Sequence, residues 1–237
     1  MALNRRSFTR GRSARRPYLR GLLVLSVALA TLAFAGWVVW FSSWLAVDKV
    51  VVSGEHTIPV SVLVTTADIP GGTPMVSVNL DEITHRIAGL PAVAHASVHR
   101  SWPHTITISV TERQPLAQVP RAGAWWVIDA SGTVFRKSAT QTAGLPIAAI
   151  HAEVDHEVLH EVALVVAALP KSLLGRVRTV EAASMDSISL VLTSRHVVRW
   201  GSAAQSIRKA QVLAVLLKQP ARAYDVSVPA DPTLTRG

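Results

Sequence analysis

The chain contains no cysteine. That excludes disulfides, thiolate metal sites and thiol nucleophiles. Life outside the cytoplasm stays open, because a domain of this size can bury enough core to fold without covalent staples. Acidic residues are also missing where basic ones concentrate. The first 47 residues hold no Asp or Glu, while Arg5, Arg6, Arg10, Arg12, Arg15, Arg16 and Arg20 crowd the first 20. The 237-residue chain carries a net charge of +9. Beyond the tail, 17 basic residues face 15 acidic ones, a net of only +2. The basicity therefore belongs to a tail and not to a folded nucleic-acid surface. No Gly-rich phosphate loop, nucleotide fingerprint or Ser/His/Asp arrangement is present, and no internal repeat.

The segment after the tail explains its charge. Residues 21–47 are uncharged, and GLLVLSVALATLAFAGWVVWF over 21–41 is long enough to cross a bilayer as a helix. Trp37, Trp40 and Trp44 share one helical face at its far end, as interfacial Trp belts do. Arg residues before the span keep the N-terminus in the cytoplasm and place roughly 190 residues outside the membrane. Ala33-Phe34-Ala35 resembles a signal-peptide cleavage site. The apolar run continues past it, which favours an uncleaved anchor. The organisation expected is a tail over 1–20, a transmembrane helix over 21–44, a compact α+β unit over 45–113, a β-rich domain over 114–229 and a tail over 230–237.

In the first outer unit, 47–53 reads as a strand closed by Gly54, and 57–67 as a helix with Pro59 in its first turn. A loop, IPGGTPM, comes next. Asn79 with Glu82 has capping-box character and opens a helix that Gly89 and Pro91 end. Residues 93–100 and 105–113 read as strands joined by the turn Ser101–His104. Ile106, Ile108 and Val110 share one face of the second strand. In the second unit, 125–128 and 133–135 flank a hairpin turn, Asp129-Ala130-Ser131-Gly132. Helices are expected over 153–169 and 203–218. Strands are expected over 176–182, 187–193, 196–200 and 223–228, before a Pro-containing tail.

One motif points elsewhere. HEVLH, residues 156–160, fits the helix of a zinc protease, in which two His grip a metal and Glu157 activates water. The apolar stripe Val154, Val158, Val162, Val165 and Leu169 puts His156 and His160 on the opposite, solvent-facing side. Glu153, Glu157 and Glu161 form an acidic stripe typical of a solvated face. Glu181 is spaced as a third ligand, yet it falls in an expected strand. A plain solvated face is the favoured reading, with a membrane-tethered metalloprotease as the alternative. Glu112-Arg113 reads as a structural ion pair or a domain-junction bond. Of Trp125 and Trp126, adjacent on a strand, one is expected in the core. His95, His99 and His104 read as surface residues.

Several stretches together carry a resemblance. They are VDKVVVSG (47–54), LPAVAHASVHRSWPHTITISVTERQPLA (90–117), VIDASGTVF (127–135), LP (145–146), VLTSRHVVRWG (191–201) with Lys209, and YDVSVP (224–229). The chain resembles the bacterial cell-division family FtsQ/DivIB, and its first outer unit resembles a POTRA domain. The resemblance implies an α+β fold: one N-terminal transmembrane helix, a β-α-α-β-β POTRA unit, then a mostly antiparallel β domain with flanking helices. It implies a non-enzymatic scaffold at the division septum with no cofactor, metal or catalytic residue. Its partners would be membrane-anchored division proteins of the FtsB and FtsL type, bound by strand addition to an exposed sheet edge. In this chain that edge points to Asp225, Val226, Ser227, Val228 and Ala230. Val98 and Arg100 are the positions implied for recruitment. A POTRA-type assembly chaperone is a further alternative.

Overall fold

The computed structural model describes residues 17–41, 43–150 and 156–236. Most of the Arg-rich tail, with Glu153 and Val154 of the expected second-domain helix, lies outside the described residues. Helix α1 (Pro17–Phe41) contains the apolar stretch Gly21–Trp40, whose mean hydropathy is 2.4 and none of which packs inside the protein. A helix this long and apolar, with none of its length buried in the protein, has the length and composition to cross a bilayer.

A 3-10 turn, Ser43–Leu45, leads to the first outer unit. It consists of β1 (Lys49–Ser53), α2 (Val60–Ala67), α3 (Leu80–Ala88), β2 (Val93–Ser101) and β3 (Thr105–Glu112). The sheet order is β1-β3-β2, with β1 parallel and β2 antiparallel to the central β3. Asn79 caps α3 by accepting the Glu82 N–H. Ile106, Ile108 and Val110 of β3 are buried, as their alternation predicts, against Leu63, Ile83 and Ile87 of the helices. Gly54 ends β1 at φ +85°, and a Cβ there would lie 2.1 Å from the Val110 carbonyl oxygen. Only glycine fits both the angle and the space.

Helix α2 starts at Val60 and not at 57. The N–H groups of His56, Thr57 and Ile58 turn away from a helix and donate to the Glu112 carboxylate at 2.7, 2.9 and 2.9 Å. Pro59 then serves as N-cap.

The second unit holds β4 (Ala117–Arg121), β5 (Ala124–Ile128), β6 (Val134–Ser138), β7 (Ile147–Ile150), α4 (His156–Ala168) and α5 (Lys171–Leu174). It continues with β8 (Val177–Ser184), β9 (Ser187–Leu192), β10 (Val197–Gly201), α6 (Ser206–Leu216), β11 (Ala223–Asp225) and β12 (Thr233–Thr235). They form one nine-stranded sheet, ordered β12-β11-β10-β9-β8-β7-β4-β5-β6. Most pairs are antiparallel, but β7 is parallel to both neighbours, and β11 is parallel to β10. In β9, Ile188, Leu190 and Leu192 are buried and alternate with partly exposed Ser189 and Val191. That alternation marks a sheet covered on one face. Val158, Val162 and Val165 of α4 and Leu213 of α6 belong to the same core as these strands. The fully buried Trp200 anchors it, its indole N–H donating to Ser206 Oγ at 3.0 Å.

Strands β4, β7 and β12 are absent from the sequence-based expectation. Pro120 disguises β4. IAAI is too short to show a period, and β12 is three residues inside a Pro-containing tail.

The C-terminal sheet edge as candidate functional site

A nine-stranded open sheet has two edges, and they differ here in charge. Strand β6 carries exposed Arg136 and Lys137. Lys137, with Arg121, also lies over the ring of Trp126, at 4.4 and 4.9 Å from its centroid. Charged side chains on an edge oppose pairing with another chain. Strand β12 reads Thr233-Leu234-Thr235 and has no charge. Leu234 packs on the core and pairs with Tyr224 of β11.

The final strand expected at 223–228 is therefore corrected in two ways. It ends at Asp225, and it is no edge: β10 pairs with one side and β12 with the other. Val226 is fully buried and its N–H donates to Arg199 O, so its side chain faces the core. Asp225 Oδ1 accepts the Ser227 N–H at 2.9 Å and the Ser227 hydroxyl at 2.6 Å, which closes a local turn. Val228 and Ala230 are exposed in the link between β11 and β12. The edge residues that sequence reasoning missed are Thr233, Leu234 and Thr235. Beside them, His196, Lys218, Arg222 and Arg236 line a cleft of about 660 Å³.

Lys209 braces this end of the sheet from within. It is 2% exposed, and its ammonium donates to Trp200 O at 2.9 Å and Ser202 O at 2.8 Å. Burial pulls its pKa down, and the charge of Asp225 opposes that pull.

The pair Glu112-Arg113 divides its work. Glu112 stays within the first unit, capping the β1–α2 connection. Arg113 bridges the two units: its guanidinium donates to Pro91 O at 3.1 Å and to Asp129 Oδ2 at 2.6 Å. Asp129 Oδ1 meanwhile accepts N–H groups from Ser131 and Thr133. Burial raises the Asp129 pKa, but these bonds and Arg113 outweigh it and hold the carboxyl below its ordinary range. Arg113→Ala is expected to cost on the order of 2 kcal/mol, since it orphans a nearly buried carboxylate oxygen. Limited proteolysis at the 113–116 link checks this. Cleavage should accelerate in the variant.

Val98 is buried in the first core. Arg100 is spent on two carbonyls, donating to Met75 O at 2.7 Å and Val78 O at 2.5 Å. Both hold the first unit together. His95, His99 and His104 are exposed. Trp125 and Trp126 are each half-buried, and of the two it is Trp126 that packs against the second core.

HEVLH occupies the first turns of α4. His156 and His160 are exposed, and a His160 ring nitrogen lies 3.0 Å from Ser131 O. Among the described residues no three His, Cys, Asp or Glu side chains cluster as a metal site would need. Glu181 sits in strand β8. Glu161 departs from the expected solvated stripe: it is half-buried and accepts the Ala203 N–H at 3.2 Å.

A candidate span, a β-α-α-β-β unit and a β-rich domain define a membrane-anchored protein of the POTRA class. The FtsQ-type POTRA domain matches residues 45–113, and the C-terminal domain of cell division protein FtsQ/DivIB matches residues 117–228. The cell division protein FtsQ of Streptomyces bingchenggensis is 36% identical over 236 residues, covering 94% of this chain and 89% of that protein. That of Mycolicibacterium smegmatis is 34% identical over 231 residues, covering 94% of this chain and 68% of that protein. The chain belongs to the FtsQ/DivIB family of cell-division proteins. The solved extracytoplasmic domain of the Geobacillus stearothermophilus division protein DivIB shares 16% identity over 43% of this chain and 87% of its own, with a TM-score of 0.36.

Proposed function

We propose that this division protein is a bitopic scaffold, with its N-terminus in the cytoplasm and both outer units beyond the membrane at the septum. It binds membrane-anchored division proteins of the FtsB and FtsL type by strand addition on the outer side of β12. The observation that carries this reading is the contrast of the two edges: β6 is guarded by Arg136 and Lys137, and β12 is uncharged. Backbone groups of an added strand supply affinity, and flanking side chains supply choice. Val228 and Ala230 flank the added strand, and Asp225, Val226 and Ser227 hold the turn behind it. The cationic cleft beside β12 suits an acidic partner segment. Val98 and Arg100 serve recruitment indirectly, by keeping the surface of the POTRA unit in shape.

Deleting residues 232–237 removes β12. Capture of purified FtsB- and FtsL-type partners in detergent is expected to weaken at least about tenfold. Unchanged capture, with thermal stability retained, would sink the edge assignment. Tighter capture would mean that the partner takes the place of β12 beside Asp225.

A further inference from the structure

The end of the POTRA unit nearest the anchor exposes aromatic surface. The short turn Ser43–Leu45 lies between α1 and the unit. The amides of Asp48 and Lys49 donate to His104 O at 3.0 and 3.2 Å, and β1 then runs parallel to β3 with Lys49 opposite Thr105. The chain leaving the anchor thus enters the sheet beside the β2–β3 turn. That turn must sit at the membrane-proximal end, whatever the tilt of α1. Residues 101–105, SWPHT, form this tip without a charged group, and Trp102 is 53% exposed at its apex. Trp44, at the end of the anchor, is 85% exposed. Between anchor and tip runs an open cleft of about 590 Å³, lined by Val38, Trp44, Leu45, Asp48, Pro103 and His104. Val38 belongs to the apolar span itself, so the cleft is continuous with the lipid-facing surface of α1.

Exposed Trp is poorly matched to water and well matched to the headgroup layer, where an apolar ring and a polar N–H are both accommodated. We propose that the Trp102–Pro103 tip inserts into the interfacial layer of the membrane that α1 crosses, with phospholipid filling the cleft. The bilayer then becomes a second support for the POTRA unit. The sheet is held at a set height and tilt and does not swing on the short turn after α1. Asp48 and Lys49, exposed beside the tip, remain at headgroup level.

The absence of cysteine makes a direct test available. Ser101→Cys puts a thiol beside Trp102. Ala94→Cys puts one seven residues away on the same strand, roughly 23 Å farther along the sheet. Each full-length variant is labelled with a nitrobenzoxadiazole dye and reconstituted alone into phosphatidylcholine–phosphatidylglycerol vesicles containing headgroup-nitroxide lipid. Quenching at position 101 is expected to be at least about twice that at 94, and adding Trp102→Ser should bring it down to the level at 94. Equal quenching at both positions overturns the proposal, as does quenching at 101 that ignores Trp102→Ser. His104→Cys repeats the comparison if the Ser101 variant does not fold.

Discussion

Replacing Gly132 by alanine is expected to destabilise the second domain by about 3 kcal/mol or more. Gly132 sits at φ +79° in the β5–β6 turn, a conformation that costs an L side chain about 1–2 kcal/mol. An added Cβ would also lie 2.7 Å from the Cα and N of His160 and 2.8 Å from the carbonyl carbon of Leu159. These are backbone atoms of α4, so the helix itself must move. Overpacking of this kind typically costs a further 1–3 kcal/mol or so. The melting temperature of the full chain should fall by roughly 5–10 °C. His160→Ala is the informative companion. It removes one exposed hydrogen bond to Ser131 O and is expected to cost under about 1 kcal/mol. A mild Gly132→Ala would mean that α4 does not press on this turn. The contrast also interprets HEVLH: the second His marks where a helix backbone touches a glycine, and its ring rests on the same turn.

Glu112→Ala should cost on the order of 3 kcal/mol in the POTRA unit. One carboxylate, 6% exposed, receives the N–H groups of His56, Thr57 and Ile58 and the Thr57 hydroxyl. Alanine leaves three amide donors without their acceptor, and the connection that steers β1 into α2 loses its anchor. Hydrogen exchange at residues 56–58 should speed up first, ahead of the strands. The same group sets an acid response. Burial by itself would raise the Glu112 pKa, but the bonds from His56, Thr57 and Ile58 outweigh it and bring the carboxyl from its ordinary 4.5 to about 2. The folded pKa is the lower one. Its stabilisation is therefore complete above the unfolded value near 4.5 and drains away as pH falls from there toward 2. Glu112→Gln should flatten that part of the stability–pH curve. A variant that keeps the full acid slope would show that other carboxylates govern it.

Elements with a strong local signature were legible in advance. The anchor announces itself by length and lack of charge, α3 by Asn79 and Glu82, and β3 by strict alternation. Elements without one were not. Strand β7 is four small or apolar residues whose strand character comes from parallel neighbours on both sides. Strand β12 exists because β11 offers it a partner. The candidate site suffered most from this. The family resemblance pointed to Asp225 and its neighbours, but the open edge lies a strand further out. Arg100 shows the same limit. The family resemblance points to it for recruitment, while its guanidinium is consumed by the carbonyls of Met75 and Val78.

By itself, the sequence determined that the protein has one membrane span behind an Arg-rich tail, that an α+β unit and a β-rich domain come after it, and that both resemble FtsQ/DivIB. Those features are written in composition, period and capping, which act over a few neighbouring residues. Only the tertiary structure decided which strand lies at the edge, which acid caps and which base bridges, and that the Trp102 turn faces the anchor. Each of these depends on pairings between residues far apart in the chain: Lys49 with Thr105, Arg113 with Asp129, Tyr224 with Leu234. Such pairings are chosen by the packing of the whole core, and no local stretch carries the information to set them.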